Sequence, residues 1–342
     1  MATMNDVARV AEVSIATVSH VINGTRFVTP ERVDRVHAAM RELDYTPDAT
    51  ARSLRVGRTQ TLGLIIPDNS NPFFAELARS IEEASFEAGY TTIFGNSVER
   101  PDRERQYVRT LLAKRVDGLI IVPARTRDRV LTALLRKAKI PIVVVDRELA
   151  LPGADVVVYD NVGGSSQAAQ HLIDLGHTQI ASIAGPPDLA PAAERLEGFL
   201  REFDEAGIQV PAESVVAADF HFEGGREATA KLLDGYRTFT ALFAANDLLA
   251  AGALRELTAH GLSVPDDVSV IGFDDAPLAE MTSPALTTVR QPLQAMGDTA
   301  VSVLLAHMAG APNAAPGRHV LPTSLVVRDS TAPPRRRGEP RG

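Results

Sequence analysis

The chain has 342 residues, enough for two or three domains with substantial cores, and its 45% hydrophobic and 23% charged residues are ordinary for a globular protein. Apolar runs such as "LGLIIP" and "PIVVVD" are far too short to span a bilayer, and the absence of cysteine excludes disulfides. The net charge of −8 argues against a nucleic-acid binder only if it is spread evenly. It is not: residues 1–60 hold eight arginines against seven acids, so the excess of acid lies in the rest. Residues 13–30 contain Arg26 and no acid, and residues 49–60 contain Arg52, Arg55 and Arg58 and no acid. A neutral-to-basic head on an acidic body suits approach to DNA with one end only. The first ten residues, "MATMNDVARV", lack a basic-then-apolar signal, so a cytoplasmic protein without a membrane partner is expected.

Residues 3–46 read as three short helices. Thr3 and Asp6 have capping-box spacing, with Met4, Val7, Ala8 and Ala11 on one apolar face. Glu12 and Val13 make a turn, Ser14 caps the second helix and Gly24 ends it. Thr29 and Pro30 start the third, with Val33, Val36, Met40 and Leu43 inward. The second helix, "SIATVSHVING", buries Val18, Val21 and Ile22 and turns Ile15, Ala16, Ser19, His20 and Asn23 outward. That outer stripe is small and nearly uncharged. In a major groove Ile15 and Ala16 can lie on thymine methyls and His20 can bond a base edge. Ser19 and Asn23 suit phosphates. The pattern is a helix-turn-helix.

Pro47 then opens "DATARSLRVGRT", in which Asp48 can cap a helix ending at Gly57. A helix of about eight residues does not hold alone in water. Leu54, between Arg52 and Arg55, has the make-up of a minor-groove wedge that unstacks a base step.

From Thr61 the pattern becomes short Val/Ile/Leu strands alternating with helices: "TLGLIIPD", "TTIFGN", "DGLIIVPA", "IPIVVVD", "DVVVYD", "QIASIAG", "SVVAAD", "FTALFAAND", "DVSVIGFDD" and "LTTVRQP". Such runs mean parallel sheets covered on both faces. Ten are too many for one sheet of this length, so the α/β fold expected is two similar lobes with a cleft between them. Ligands bind open α/β sheets at the strands' carboxyl ends. Those ends carry Asp68, Asn71, Phe73, Phe74, Asp146, Arg147, Asp219, Phe220, Asn246, Asp247, Asp274, Asp275 and Gln291. Singly, each Asp or Asn is accounted for as a helix cap. Together they supply the donors, acceptors and aromatic faces that a sugar ring needs. The Asp274–Asp275 pair and Asp146 invite a glycosidase reading, but neighbours on a strand point apart. No nucleophile elbow, phosphate loop, dinucleotide fingerprint or metal-spaced histidine cluster is present, so no enzyme, cofactor or metal is expected.

These residues resemble the lac repressor family of bacterial transcription regulators, from "TMNDVARVAEVSIATVSHVING" through "ARSL" to "VSVIGFDD" and "LTTVRQP". The ribose- and purine-responsive branches are nearest in look. The resemblance implies a helix-turn-helix headpiece over residues 1–46 and a hinge helix and linker over 47–60. It implies a periplasmic-binding-protein-like core over 61–331 and leaves a disordered tail at 332–342. Within the core the first lobe takes residues 61–160 and 292–320, and the second takes 161–291 and 321–331. It implies a homodimer on a pseudo-palindromic double-stranded operator. Ile15, Ala16, Thr17, Ser19, His20, Asn23 and Arg26 would face the DNA, and Arg52, Leu54 and Arg55 the minor groove. Positions 15 and 16 usually carry hydroxyl residues in the two nearest branches, so Ile15 and Ala16 depart from them.

The cleft is similar to that of periplasmic ribose-binding proteins, which implies effector contacts from Asn71, Phe73, Phe74, Asp146, Arg147, Arg195, Phe220, Asn246, Asp274 and Gln291. One polar position of those proteins falls on Val122. The function implied is a DNA-binding repressor controlled by ribose or a similar pentose. The alternatives are another sugar, a sugar phosphate, a nucleoside or a purine corepressor. A transport receptor shares the cleft but not the headpiece.

Leu54→Ala is expected to weaken operator binding strongly and leave sugar affinity unchanged; equal operator affinity in a gel-shift titration would remove the wedge role.

Overall fold

The computed structural model describes residues 2–46, 58–236, 238–310 and 316–335. The expected hinge helix, with Arg52, Leu54 and Arg55, lies outside the described residues. The chain divides into two compact units, Met1–Thr59 and Gln60–Gly342.

The first unit holds α1 (Met4–Val10), α2 (Ile15–Asn23) and α3 (Pro30–Glu42). Thr3 and Asp6 cap α1 reciprocally: the Asp6 amide donates to Thr3 Oγ1 at 3.3 Å, and the Thr3 amide to Asp6 Oδ2 at 3.0 Å. Ser14 Oγ accepts from the Thr17 amide at 3.1 Å at the start of α2. Gly24, at φ 59°, ends α2 in the left-handed conformation that a side chain would strain. None of these helices is long enough to persist alone. Val7, Val18 and Val36 interlock them as a buried core, with Val21, Ile22, Met40 and Leu43 half-buried around it. Arg35 Nε donates to the Ala11 carbonyl at 2.9 Å and its Nη2 to the Glu12 carbonyl at 3.0 Å, fixing the α1–α2 turn onto α3.

The second unit contains two six-stranded sheets. The first has β1 (Thr61–Ile66), β2 (Thr91–Asn96), β3 (Gly118–Ile121), β4 (Ile142–Val145), β5 (Asp155–Tyr159) and β11 (Arg318–Leu321). The second has β6 (Ile180–Ala184), β7 (Val215–Ala217), β8 (Ala241–Ala244), β9 (Ser269–Asp274), β10 (Thr287–Arg290) and β12 (Ser324–Val326). Their orders are β11-β5-β4-β3-β1-β2 and β12-β10-β9-β8-β6-β7. All pairs are parallel except β10 with β12. Helices α4 (Pro72–Glu87), α5 (Pro101–Ala113), α6 (Arg129–Lys137) and α12 (Leu293–Met308) belong to the first lobe. Helices α7 (Asn161–Asp174), α8 (Ala190–Glu205), α9 (Phe222–Gly235), α10 (Asp247–Ala259) and the short α11 (Leu278–Met281) belong to the second. Each sheet has a separate apolar core on either face, which is why strands such as Ile142–Val145 are apolar at every position.

The chain crosses between lobes after β5, after β10 and between β11 and β12, so α12 and β11 complete the first lobe late in the sequence. The ten expected strands are β1 to β10. The sequence reading omits β11 and β12, edge strands that are half-exposed and too short to show a period. The return to the second lobe, expected at about residue 321, comes after Leu321, which pairs with Tyr159 in the first sheet. The tail differs as well: residues 332–335, expected to be disordered, lie against the second lobe. The Ala332 carbonyl accepts from Ser269 Oγ at 2.9 Å and meets His177 Nε2 at 2.9 Å, and Arg335 pairs with Asp267 at 3.5 Å. Those partners are dispersed in sequence, and the local Pro- and Arg-rich composition carries no trace of them.

Helices α9 and α10 meet through Gly225 and Gly252, where a side chain at either would run into the other helix's backbone. Gly252→Ala is therefore expected to cost about 1–3 kcal/mol, read as a lowered urea midpoint; an unchanged midpoint would mean that the pair yields freely.

Candidate ligand site and nucleic-acid interface

Parallel winding brings the carboxyl ends of both sheets to one place. From the first lobe come Asn71, Phe73 and Phe74 at the start of α4, and Asp146 and Arg147 after β4. From the second come Pro191 and Arg195 on α8, Phe220 after β7, Asn246 after β8 and Asp274 ending β9. These ten residues line one cavity. All but Pro191 are among those that the resemblance implies. The remaining one, Gln291, is buried behind the wall, with Nε2 donating to Asp274 Oδ1 at 2.7 Å. Its Oε1 is buried without a hydrogen-bond partner among the described residues. Val122 is fully buried in the first lobe's core.

The capping and cavity roles coincide. Asn71 Oδ1 accepts from the Phe73 amide at 3.0 Å, and Asn246 Oδ1 from the Leu249 amide at 2.9 Å, yet both line the cavity. The other strand-end acids do different work. Asp68 accepts from Ser70, and Asp275 turns away to Arg290 at 2.6 Å and Arg328 at 2.7 Å. Asp247 is buried and accepts from Thr288 Oγ1 at 2.5 Å and from the Ala276 amide at 2.8 Å.

Arg195 organises the second wall. Its Nε donates to Asn161 Oδ1 at 2.9 Å, and its Nη1 to the Ala245 carbonyl at 2.7 Å and to Asp274 Oδ1 at 3.3 Å. The guanidinium lies 3.9 Å above the centre of the Phe273 ring. Burial pushes Asp274 up to about 7; Arg195 opposes the rise and the charge of Asp146 adds to it. On the first wall, Arg147 donates to the Pro123 and Ala124 carbonyls at 3.3 and 3.4 Å and to Glu99 at 3.2 Å. Its Nε comes only within 3.9 Å of Asp146. Most of the guanidinium is thus engaged by the protein. The Asp146 carboxylate has no hydrogen-bond donor among the described residues, and burial raises its pKa. Asp146 and Asp274 both have positive φ, 63° and 124°, an unfavourable backbone for residues other than glycine. The cavity therefore offers acceptors held out of water, few free donors, and Phe73 and Phe74 meeting edge to face.

In the first unit, Ile15, Ala16 and Arg26 are exposed, and Thr17, Ser19, His20 and Asn23 are half-buried. Thr17 and Ser14 share a hydroxyl contact at 2.9 Å. Asn23 Nδ2 donates to the Ser19 carbonyl at 2.5 Å, so this amide is already engaged within its own helix. His20 Nδ1 contacts Thr25 Oγ1 at 2.8 Å, which orients the ring and leaves Nε2 as its outward nitrogen. The sequence reading passes over Phe27, which is 89% exposed beside Arg26. Its signal is an aromatic in an inter-helix turn that no apolar stripe claims.

A helix-turn-helix unit followed by two parallel-sheet lobes around a polar cavity defines a regulator class, a DNA-binding head on a ligand-binding body. The chain belongs to the lacI family of bacterial regulatory proteins. That family's profile matches residues 3–48, and the profile of the periplasmic binding protein-like domain matches residues 169–331. The chain is 41% identical over 305 residues to the ribose operon repressor of Escherichia coli (strain K12), covering 89% of this chain and 92% of that one. It is also 41% identical over 306 residues to the transcriptional repressor PurR of Klebsiella pneumoniae (strain 342), covering 89% and 90%. Among solved structures, a lac repressor dimer bound to operator and the anti-inducer ONPF superposes with a TM-score of 0.86 at 31% identity, covering 97% and 99%. A regulator of the family from Enterococcus faecium with bound ribose gives 0.71 at 33%, covering 80% and 99%.

A ligand hydroxyl donating to Asp274 favours its ionised form, so binding releases a proton wherever the free carboxyl is still protonated. Effector affinity is therefore expected to rise with pH through about 7 and level off above it. Titrations between pH 6 and 8 that show a flat affinity would contradict this assignment.

Proposed function

We propose that this protein is a transcriptional repressor that binds a pseudo-palindromic DNA operator as a homodimer, and that ribose or a similar pentose in the cleft controls its operator affinity. The observation that carries the reading is the cavity itself, where the first lobe presents buried Asp146, without a donor among the described residues, beside Phe73 and Phe74, and the second lobe presents Asp274. Hydroxyl groups satisfy such acceptors, and sugar C–H faces pack on phenyl rings. A phosphate would need free cations, but Arg147 and Arg195 already donate to carbonyls and carboxylates. The ribose operon repressor and the ribose-bound regulator among the relatives support the pentose. PurR at equal identity keeps a purine corepressor as the second reading.

In this reading residues 1–46 are the headpiece, 47–60 the hinge and linker, and the two lobes the effector-binding core. Ile15 and Ala16 meet thymine methyls, His20 meets a base edge, and Arg26 with Phe27 extends the contact. Arg52, Leu54 and Arg55 act in the minor groove. The protein works in the cytoplasm and catalyses no reaction. Sugar closes the cleft, moves the two first lobes of the dimer against each other and releases the hinges from DNA, a coupling between two sites.

The test is a gel-shift titration on an operator obtained by binding-site selection, with thermal shifts against pentoses, hexoses, their phosphates, nucleosides and purines. Ribose is expected to raise the melting temperature and weaken operator binding. Asp146→Asn removes a buried charge that has no donor of its own, so it should abolish the response to ribose and leave folding and basal operator binding intact. Arg195→Ala also loses the response but destabilises the fold, because it strands Asp274 without its cation. Stabilisation by purines alone, with tighter operator binding, would replace the pentose with a corepressor.

A further inference from the structure

Tyr159 ends β5 on the face of the first sheet that packs beneath α4 and α12. It is buried to 1% exposure, and its ring meets Phe73 edge-on at 6.2 Å. Its carbonyl accepts from Asn161 Nδ2 at 3.4 Å, and Asn161 Oδ1 in turn holds Arg195. Its hydroxyl, however, has no hydrogen-bond partner among the described residues. Neighbouring positions on the same face, Leu64, Ile120, Val143 and Val157, are aliphatic. Phenylalanine would fill the space without the desolvation cost of an unpaired hydroxyl.

The surroundings say where the missing partner comes from. Phe73 lines the cavity, and so do the charged groups that act on the tyrosine. Burial raises the pKa of Tyr159 well above its usual value; Asp146 and Asp274 push the same way and Arg195 opposes them. The phenol thus lies among residues of both cleft walls. A second buried orphan, Gln291 Oε1, sits on the residue that bonds Asp274. Of the five such atoms among the described residues, these two belong to residues in contact with the cavity's lining, Tyr159 with Phe73 and Gln291 with Asp274, where a ligand could supply the missing partner.

We propose that Tyr159 is a specificity-determining residue of the effector site, whose hydroxyl, behind the lining residue Phe73, hydrogen-bonds one hydroxyl of the sugar. The proposal builds on the pentose reading. A site that hydrogen-bonds a ligand hydroxyl discriminates against the analogue that lacks it, because a buried polar group is then left unpaired. Tyr159 would in this way select among pentoses by one position on the ring.

The test is calorimetry on the full-length wild type and Tyr159→Phe with D-ribose and with 2-deoxy-, 3-deoxy- and 5-deoxyribose. Tyr159→Phe is expected to weaken ribose binding roughly tenfold, the value of one hydrogen bond. One deoxy sugar should bind the wild type correspondingly less well and bind both proteins equally. Without ligand, the variant should melt no lower than the wild type, since it loses no internal bond. Equal ribose affinity in the two proteins overturns the role of Tyr159 alone. A lower melting temperature of the ligand-free variant also overturns it, because the hydroxyl would then be bonded within the fold. A wild type that takes up no ribose overturns the pentose reading and this proposal together.

Discussion

A carboxylate and a guanidinium taken out of water together, Asp274 and Arg195, are the pair on which the cleft depends. Neither is tolerable there alone: an unpaired buried charge costs several kcal/mol, and the pair is held only because its remaining valences are filled. Asn161, the Ala245 carbonyl, Gln291 and the Phe273 ring fill them, and these come from four different segments of the chain. The second wall is thus assembled by its own electrostatics. The first wall is built the opposite way, with Arg147 tied to backbone carbonyls and Asp146 left without a donor. The second wall is thus largely satisfied from within, the first less so, and in the proposed function a ligand joins them.

This asymmetry gives binding a mechanical direction. Hydrogen bonds from a ligand to Asp146 and to the second wall gain most when the lobes approach, because each lobe is rigid around its own cores. Three crossings of the chain join the two sheets. The positive φ of Asp146 and Asp274 stores strain at the two points where the walls address the ligand. Packed lobes joined at a few crossings are the kind of body in which a ligand at the seam can bias one discrete arrangement over another.

Much of this was legible in the sequence, for identifiable reasons. The ten principal strands announce themselves because burial on both faces leaves them mostly apolar, and most cavity residues stand just after strands, where parallel topology must bring them together; Arg195 and Pro191, on a helix, have no such signal, and only the family resemblance pointed to Arg195. The headpiece is legible because its caps are local: Thr3 with Asp6, Ser14, Gly24. What escaped depends on distant partners. β11 and β12 are strands because of β5 and β10, and Ala332 is held by Ser269 and His177. The commitment of Arg147 to Pro123 and Ala124 also has no local signature. Phe27 and Tyr159 escaped differently, since the first belongs to no periodic stripe and the second is masked by an apolar strand in which a tyrosine passes as core.

The late return of the chain to its first lobe bears on how the protein is made. As it leaves the ribosome, β1 to β5 emerge first, but they lack α12 to cover one face and β11 to close one edge until residue 321 is out. The second lobe is nearly complete by then, so the part synthesised first is finished almost last. A headpiece with its own core precedes a body that is incomplete until late, and premature termination after β10 leaves a first lobe with an uncovered apolar face. Truncated products of this architecture are therefore expected to be aggregation-prone and short-lived rather than stable DNA-binding fragments with a damaged sensor.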